Sequence, residues 1–193
     1  MRVVPVDESN RLFYVEDVIS DTLLEKIQLV KWQDQTGPLF LHQPDKDYAK
    51  NARRAIDISN SSVLKELDKQ LRKQSLEIAR QLKLDFSYYY TDYWLDKPGW
   101  KIPIHTDLWI PCAWQMYWYG ESNTGTTFLW TKSKDDLRHQ FEFKPNTGYL
   151  MLNLPQDNYQ PLQWHGMFKP ITQFRFTSYT RLGPYSATPN INN

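Results

Sequence analysis

Cysteine is almost absent from this sequence, since Cys112 is the only one among 193 residues. A single thiol excludes an intrachain disulfide and any zinc knuckle or iron–sulfur cluster built on cysteines, and it is typical of a reducing compartment. An excess of charge is missing as well, because 23 Lys and Arg balance 22 Asp and Glu to a formal net charge of +1. This balance gives no support to a protein that binds nucleic acid through bulk charge.

Long apolar runs are also missing. No stretch of the sequence approaches the ~20 apolar residues of a membrane helix. The first eight residues, MRVVPVDE, contain no apolar run of the length found in signal peptides. We therefore expect a soluble, cytoplasmic protein without membrane association.

Aromatic residues, in contrast, are abundant. The chain has 8 Trp, 12 Tyr and 9 Phe, or 15% of all residues, although its mean hydropathy is −0.66. Many large rings in a sequence that is polar on average indicate a small core of bulky residues together with an aromatic-lined surface or cavity.

The length predicts one domain, residues 1–193. Two amphipathic patterns in the first half predict helices over 20–35 and 61–83, each preceded by a serine suited to cap it. We expect residues 1–84 to form a helical N-terminal support region, with a loop over 36–51 and a short strand over 53–58.

The sequence pattern of the second half is typical of a β protein. Short apolar runs separated by turn signals predict strands over 86–94, 109–119, 126–130, 141–143, 148–154 and 174–181. The fold class is mainly β with N-terminal helices (α+β), a jelly roll buttressed by those helices, with its core over 85–182. Residues 132–140 are a charged inter-strand segment, either a lid or a solvated loop, and 183–193 are a flexible tail.

The candidate chemistry begins with the histidines. Only four are present, and His105 stands two residues before Asp107. Residues two apart on an extended segment face the same side, so this imidazole and carboxylate can point at one ion. A third ligand from a distant strand, for which His165 is the natural candidate, completes the facial triad of two His and one carboxylate used by non-haem Fe(II) oxygenases. Each histidine taken singly is better explained as a surface or core residue than as a ligand.

Arg175 follows His165 by ten residues, and Thr177 lies on the same side of the predicted strand. A guanidinium binds a carboxylate in a bidentate manner, and a neighbouring hydroxyl adds a second contact. The alternative interpretation of Arg175 is an arginine in a surface ion pair.

The order Pro98-Gly99, His105-x-Asp107, Trp164-His165-Gly166 and Arg175-x-Thr177 resembles the Fe(II)- and 2-oxoglutarate-dependent oxygenases. The likeness is greatest to their prolyl-hydroxylase-like branch, including phage-encoded members, and it covers about half of the chain. It implies a double-stranded β-helix, a cupin-like jelly roll. It also implies Fe(II) on His105, Asp107 and His165, O2 as oxidant, and 2-oxoglutarate as cosubstrate held by Arg175 and Thr177. Tyr93, beside Trp94, is the candidate for a cosubstrate-contacting tyrosine of that branch.

Further candidates are polar or aromatic residues near these motifs. Gln115 and Asn153 are polar residues within apolar strands, so we predict that they point into the site and contact the cosubstrate. Tyr117, on the same face as Gln115, is a candidate substrate-binding residue. Trp109 and Trp164 flank the metal motifs and could wall the substrate entrance, although core packing explains both equally well.

Two other functions fit the same residues. Two His and one carboxylate can hold Zn²⁺ with a bound water, as in a hydrolase, but such an enzyme does not need a carboxylate clamp after the last ligand. In a non-catalytic β-barrel binding module, His105 and Asp107 would be structural. For the oxygenase, the predicted reaction is hydroxylation or oxidative demethylation, and a peptidyl or small-molecule substrate is favoured over nucleic acid.

Overall fold

The computed structural model describes residues 1–32, 40–41, 53–84, 88–107, 110–120, 124–153 and 163–183, and the structural statements below concern these residues. The helices are α1 (Asp21–Gln28) and α2 (Ser62–Gln81), the latter preceded by a 3₁₀ turn (Ile58–Asn60). The strands are β1 (Arg2–Pro5), β2 (Leu12–Glu16), β3 (Phe40–Leu41), β4 (Arg53–Ile56), β5 (Tyr88–Asp96), β6 (Ile102–His105), β7 (Cys112–Tyr119), β8 (Thr124–Leu129), β9 (Leu137–Glu142), β10 (Thr147–Leu152), β11 (Trp164–Met167) and β12 (Arg175–Gly183). Neither of these helices is both long enough and apolar enough to cross a membrane.

The strands form two antiparallel sheets. The larger sheet has the order β1-β2-β10-β7-β12-β5-β4-β3, and the smaller has the order β6-β11-β8-β9. From β5 onward the chain passes repeatedly between the two sheets, so that strands distant in sequence become neighbours. This connectivity is that of a jelly roll, as the strand pattern predicted.

The two helices cover the outer face of the larger sheet. Ser20 and Ser61 cap them, each accepting a hydrogen bond at its side-chain oxygen from the backbone N–H three residues on. The apolar stripe of α2, which includes Leu64, Leu67 and Leu71, is completely buried against this sheet. Burial of such a stripe, rather than helix propensity, supplies most of the stability of a surface helix.

Strand β7 shows why the sequence lacks a simple alternation here. Its Trp114, Met116 and Trp118 pack toward the helices, whereas Tyr117 packs in the cluster between the two sheets. The side chains on both faces of β7 are therefore buried, and its sequence is nearly continuously apolar instead of alternating. Cys112, at its start, is completely buried, and burial raises the pKa of its thiol to about 12.

The N-terminal part contributes more strand than the sequence predicted. Strands β1 to β4 extend the larger sheet at both of its edges, and α1 ends at Gln28 rather than at residue 35. Strands β1 and β2 lack a clear alternation, since β1 is an exposed edge and β2 is buried on both faces. Within 132–140, residues 137–140 belong to β9, so four of the nine residues of this charged segment are strand.

Candidate metal centre

Three candidate ligands meet between the two sheets. β6 and β11 are neighbours in the smaller sheet, and their register places His105 directly opposite His165. Asp107 lies two residues beyond the end of β6. One nitrogen from each histidine and one carboxylate oxygen all lie within 4.8 Å of one another, although 60 residues separate the histidines in sequence.

The distances within this group suit a single ion. His105 Nε2 is 3.8 Å from Asp107 Oδ1, and His165 Nε2 is 3.5 Å from Asp107 Oδ2. Ligand atoms about 2.0–2.2 Å from one ion stand roughly 3–4 Å apart when they subtend angles of 90–120°. The donor set of two imidazoles and one carboxylate is that of non-haem Fe(II) sites with open positions.

Backbone hydrogen bonds fix the tautomer of both imidazoles. His105 Nδ1–H donates to the carbonyl oxygen of Pro103 at 2.9 Å, and His165 Nδ1–H donates to that of Gln163 at 2.8 Å. Each carbonyl can only accept, so Nε2 carries the lone pair and is the atom offered to a metal. Burial, followed by the neighbouring His165, lowers the pKa of His105 and favours this neutral form.

Asp107 is held as a carboxylate. Burial alone would raise its pKa, but the polar groups that face the carboxylate, His165 and the Tyr179 hydroxyl among them, outweigh burial and lower the pKa to about 2. Tyr179 Oη donates to Asp107 Oδ2 at 2.5 Å. Burial, then the charge of Asp107, raises the pKa of Tyr179 well above 10, so the phenol remains a donor at neutral pH.

Asn153 has a different role from the one predicted. Its side-chain amide donates to the backbone carbonyls of Asp107 and Ile110, each at 3.0 Å. Its own backbone N–H donates to the carbonyl of Pro111. Asn153 therefore holds the segment that carries Asp107, and it does not line the cavity beside the ligands.

A cavity of about 200 Å³ opens beside the three ligands. This volume lies below the 300–1,000 Å³ usual for drug-sized ligands and suits a small molecule or one side chain. Gln115 and Tyr149 form part of its wall, and Tyr149 Oη donates to Gln115 Oε1 at 2.8 Å. Gln115 thus faces the cavity, and its contact with a cosubstrate stays a prediction.

Arg175 and Thr177 are buried at the inner face of β12. The Arg175 guanidinium packs 4.2 Å from the centre of the Phe143 ring, and its Nη2 lies 4.0 Å from Asp96 Oδ2. The Thr177 hydroxyl is completely buried and makes no hydrogen bond to any described residue. An orphaned hydroxyl beside a buried guanidinium fits an anionic oxygen, because an unmade buried hydrogen bond is costly. Neither residue is among those that line the described cavity, but Arg175 lies 4.0 Å from Asp96, which also binds the cavity-lining Arg53.

The structure places three further predicted residues outside the lining of the described cavity. Tyr93 faces the helices, where its hydroxyl donates to Asp68, and Trp94 lines the cavity in its place. Tyr117 is completely buried away from the cavity wall, and its hydroxyl bonds Thr126. Trp164 adjoins His165 on β11 and so faces the other side of the smaller sheet, with Lys132 5.8 Å from its ring. Trp109 lies outside the described residues.

Several residues that line the cavity escaped prediction from the sequence. Arg53, Asp92, Tyr179 and Arg181 all face it. Tyr179 and Arg181 follow Arg175 and Thr177 at the same two-residue spacing, so this alternation was a usable signal. Arg53 offered no such signal, because it reaches the cavity only through the pairing of β4 with β5.

This architecture is similar to that of several proteins of known structure. No family model matches the sequence, and no curated protein matches it. Among solved structures, a prolyl-4-hydroxylase from Pseudomonas putida is similar with a TM-score of 0.62 and 11% identity, over 89% of this chain and 91% of that chain. A Trichoplax adhaerens prolyl hydroxylase, in complex with a peptide fragment of the hypoxia inducible factor oxygen degradation domain, gives a TM-score of 0.63 and 11% identity over 93% and 86% of the two chains.

A third similar structure is the dioxygenase for auxin oxidation 1 from Arabidopsis thaliana, solved as a binary complex with 2-oxoglutarate. It has a TM-score of 0.57 and 13% identity, over 90% of this chain and 83% of that chain. At such low identity the likeness establishes the fold. The resemblance inferred from the sequence motifs is confirmed at this level: the chain has the jelly-roll fold of the prolyl hydroxylases and other 2-oxoglutarate-dependent oxygenases.

Proposed function

We propose that the protein is an Fe(II)- and 2-oxoglutarate-dependent dioxygenase that hydroxylates, or oxidatively demethylates, a substrate at a C–H bond. The observation that carries this proposal is the meeting of His105, Asp107 and His165 beside a cavity, with both Nε2 atoms available as ligands. The likeness to 2-oxoglutarate-dependent enzymes supports it.

The chain's residues fit the two groups that this reaction needs. His105, Asp107 and His165 would hold Fe(II) and leave three positions of an octahedral ion open. When bound, Fe(II) and 2-oxoglutarate, with O2, supply the chemistry that converts a substrate C–H bond to C–OH as 2-oxoglutarate becomes succinate and CO2. Arg175 and Thr177 would bind the far carboxylate of 2-oxoglutarate, the charge by the guanidinium and one oxygen by the orphaned hydroxyl.

Other residues shape the surroundings of the reacting atoms. Gln115 accepts from Tyr149 at Oε1, so its amide N–H groups remain as donors toward a carboxylate in the cavity. Ile102 and Ile110 line the same cavity and Phe128 packs against the His165 ring, so part of the wall beside the ligands is apolar. Apolar side chains there exclude water and strengthen the charged contacts nearby.

The substrate we favour is a peptidyl side chain or a small molecule. Two of the similar structures are prolyl hydroxylases, one of them bound to a peptide fragment. The small cavity and the near-neutral charge of the chain argue in the same direction. A cytoplasmic location stays a prediction from composition.

The test is spectroscopic. Anaerobic addition of Fe(II) and 2-oxoglutarate to the wild-type protein should produce a weak metal-to-ligand charge-transfer band in the visible range. The variant His105→Ala should lose this band because one of three ligands is gone. His139→Ala, which removes a histidine of β9 outside the triad, should keep it.

A second measurement separates the oxygenase from the zinc hydrolase. In air, the wild-type protein should release succinate from 2-oxoglutarate slowly even without substrate, and Arg175→Ala should release much less. Absence of both the band and the succinate from the wild-type protein would reject the proposed function.

A further inference from the structure

Arg53 is the residue of the cavity wall that the proposed function leaves unexplained. It belongs to β4, outside the strands that carry the sequence motifs, yet it lines the same cavity as the three candidate ligands. Its side chain is only 11% exposed. The rings of Trp94 and Trp100 lie 5.2 Å and 4.5 Å from the centre of its guanidinium. A cation held between aromatic rings is fixed in orientation and weakly screened by water.

Strand register places Arg53 in a row with Arg175. Asp96 of β5 is the register partner of Arg53 on one side and of Arg175 on the other. Arg53 Nε donates to Asp96 Oδ1 at 2.5 Å and its Nη2 donates to Oδ2 at 3.1 Å. Since Arg175 Nη2 is 4.0 Å from the same Oδ2, one buried carboxylate stands between two guanidinium groups.

The contacts of Arg53 leave part of its guanidinium for a ligand. A guanidinium has five N–H donors, and Asp96 uses only the edge formed by Nε and Nη2. The hydrogen bonds of Arg53 to Asp96 use Nε and Nη2, and Nη1, on the other edge, takes no part in them. Arg53 lines the cavity and Arg175 does not, so Arg53 presents its charge directly to whatever occupies the cavity.

We propose that Arg53 is a second anchor for 2-oxoglutarate, binding its far carboxylate together with Arg175 and Thr177. This inference rests on the proposed function, because it assigns a further residue to the same site. The negative charge of Asp96 offsets the repulsion between the two buried guanidinium groups, so they can lie close together. The site would thus select a dicarboxylate over a 2-oxo acid that lacks the second carboxylate.

The experiment measures this selection by binding. The probes are 2-oxoglutarate and 2-oxopentanoate, which has a methyl group where 2-oxoglutarate has its far carboxylate. Each is titrated anaerobically into the Fe(II)-loaded protein, and affinity is read from the charge-transfer band. Arg53→Gln should weaken 2-oxoglutarate binding about tenfold or more, the effect of losing one charge-assisted contact, and should leave 2-oxopentanoate binding unchanged.

A double variant separates a direct contact from an indirect one. In Arg53→Gln alone, Asp96 can turn wholly to Arg175 and weaken binding through that residue. Arg53→Gln combined with Asp96→Asn removes the carboxylate as well, so Asp96 can no longer weaken binding by turning to Arg175. If Arg53 binds 2-oxoglutarate directly, the weakened binding persists in the double variant. Recovery of wild-type affinity in the double variant would overturn the inference.

The control for bulk charge is Arg181→Gln, because Arg181 also lines the cavity and pairs with an aspartate, Asp92. This variant should bind 2-oxoglutarate like the wild type. An equal loss in Arg181→Gln, or an equal loss for both probes in Arg53→Gln, would show a general effect and reject the anchor. If the wild type shows the band and Arg53→Gln binds 2-oxoglutarate with the same affinity, this inference is rejected and the proposed function stands. A wild-type protein without the band rejects the proposed function.

Discussion

At the scale of single residues, hydrogen bonds decide which atoms of the candidate ligands face a metal. Backbone carbonyls select Nε2 on both histidines, and Tyr179 occupies Oδ2 of Asp107. A carboxylate with one oxygen engaged by a phenol is favoured to bind a metal through its other oxygen only. Under the proposed function, single-oxygen binding matters because it would leave the remaining positions of the ion open to 2-oxoglutarate and O2.

The variant Tyr179→Phe tests this positioning role. We expect Fe(II) or Mn²⁺ affinity to fall by about 10-fold, the lower end of the range for removing a partner of a metal ligand, with the fold intact. Calorimetric titration of the metal measures it. Tyr149→Phe is the matched control, since it deletes another buried hydroxyl of the cavity wall that bonds Gln115 rather than a ligand. Wild-type metal affinity in Tyr179→Phe would contradict the role.

At the scale of elements, a single side chain joins the start of β10 to the start of α1. Asn146 Oδ1 accepts from the backbone N–H groups of Val18 and Ile19, and Nδ2 donates to the carbonyl of Ile19. These residues form the segment between β2 and α1, 127–128 positions away in sequence. Asn146 itself has a φ of +60°, a left-handed conformation that Asn tolerates better than most residues.

The variant Asn146→Gly tests this link because glycine keeps the left-handed backbone and removes only the side-chain contacts. We expect a loss of about 2–3 kcal/mol in the free energy of unfolding, since three buried backbone groups lose their partner. Chemical denaturation measures the loss. Asn10→Gly, at an exposed asparagine with a φ of +52°, should change stability by less than about 0.5 kcal/mol. Equal losses at the two positions would show that the contacts contribute nothing.

At the scale of the whole molecule, one ion pair bridges the two sheets. Arg138 of β9, in the smaller sheet, binds Asp7 through Nε at 2.6 Å, and Asp7 lies between β1 and β2 of the larger sheet. The two Nη atoms of Arg138 donate to the side chains of Gln163 and Ser9. Burial alone would raise the pKa of Asp7, but hydrogen bonds from Arg138 and Ser9 outweigh it and lower the pKa.

A lowered pKa in the folded state has a definite consequence for acid stability. The stabilisation is present above the unfolded-state pKa of about 3.9 and is lost as the pH falls through the folded-state value. Asp7→Asn should therefore be less stable than the wild type at neutral pH, and the difference should shrink below about pH 4. Denaturation curves at several pH values measure it. Glu8→Gln, at an exposed neighbour, should cost little throughout, and a pH-independent difference for Asp7→Asn would contradict the bridge.

The sequence alone determined what depends on local pattern. The stripe and cap of α2, the short strands of the second half, and the His105-x-Asp107 motif with its distant His165 all follow from spacing along the chain. Spacing is informative here because helix and strand periodicities fix which neighbours share a face.

Only the tertiary structure decided which other side chains reach the site. Trp94 rather than Tyr93 lines the cavity, because a shift of one residue in strand register exchanges the two faces. Asn153 reached the backbone around Asp107 rather than the cavity, through contacts 43–46 residues apart. Arg53 entered the cavity wall from the N-terminal region through the pairing of β4 with β5. Pairing between distant strands is set by packing of the whole chain, and local sequence does not encode it.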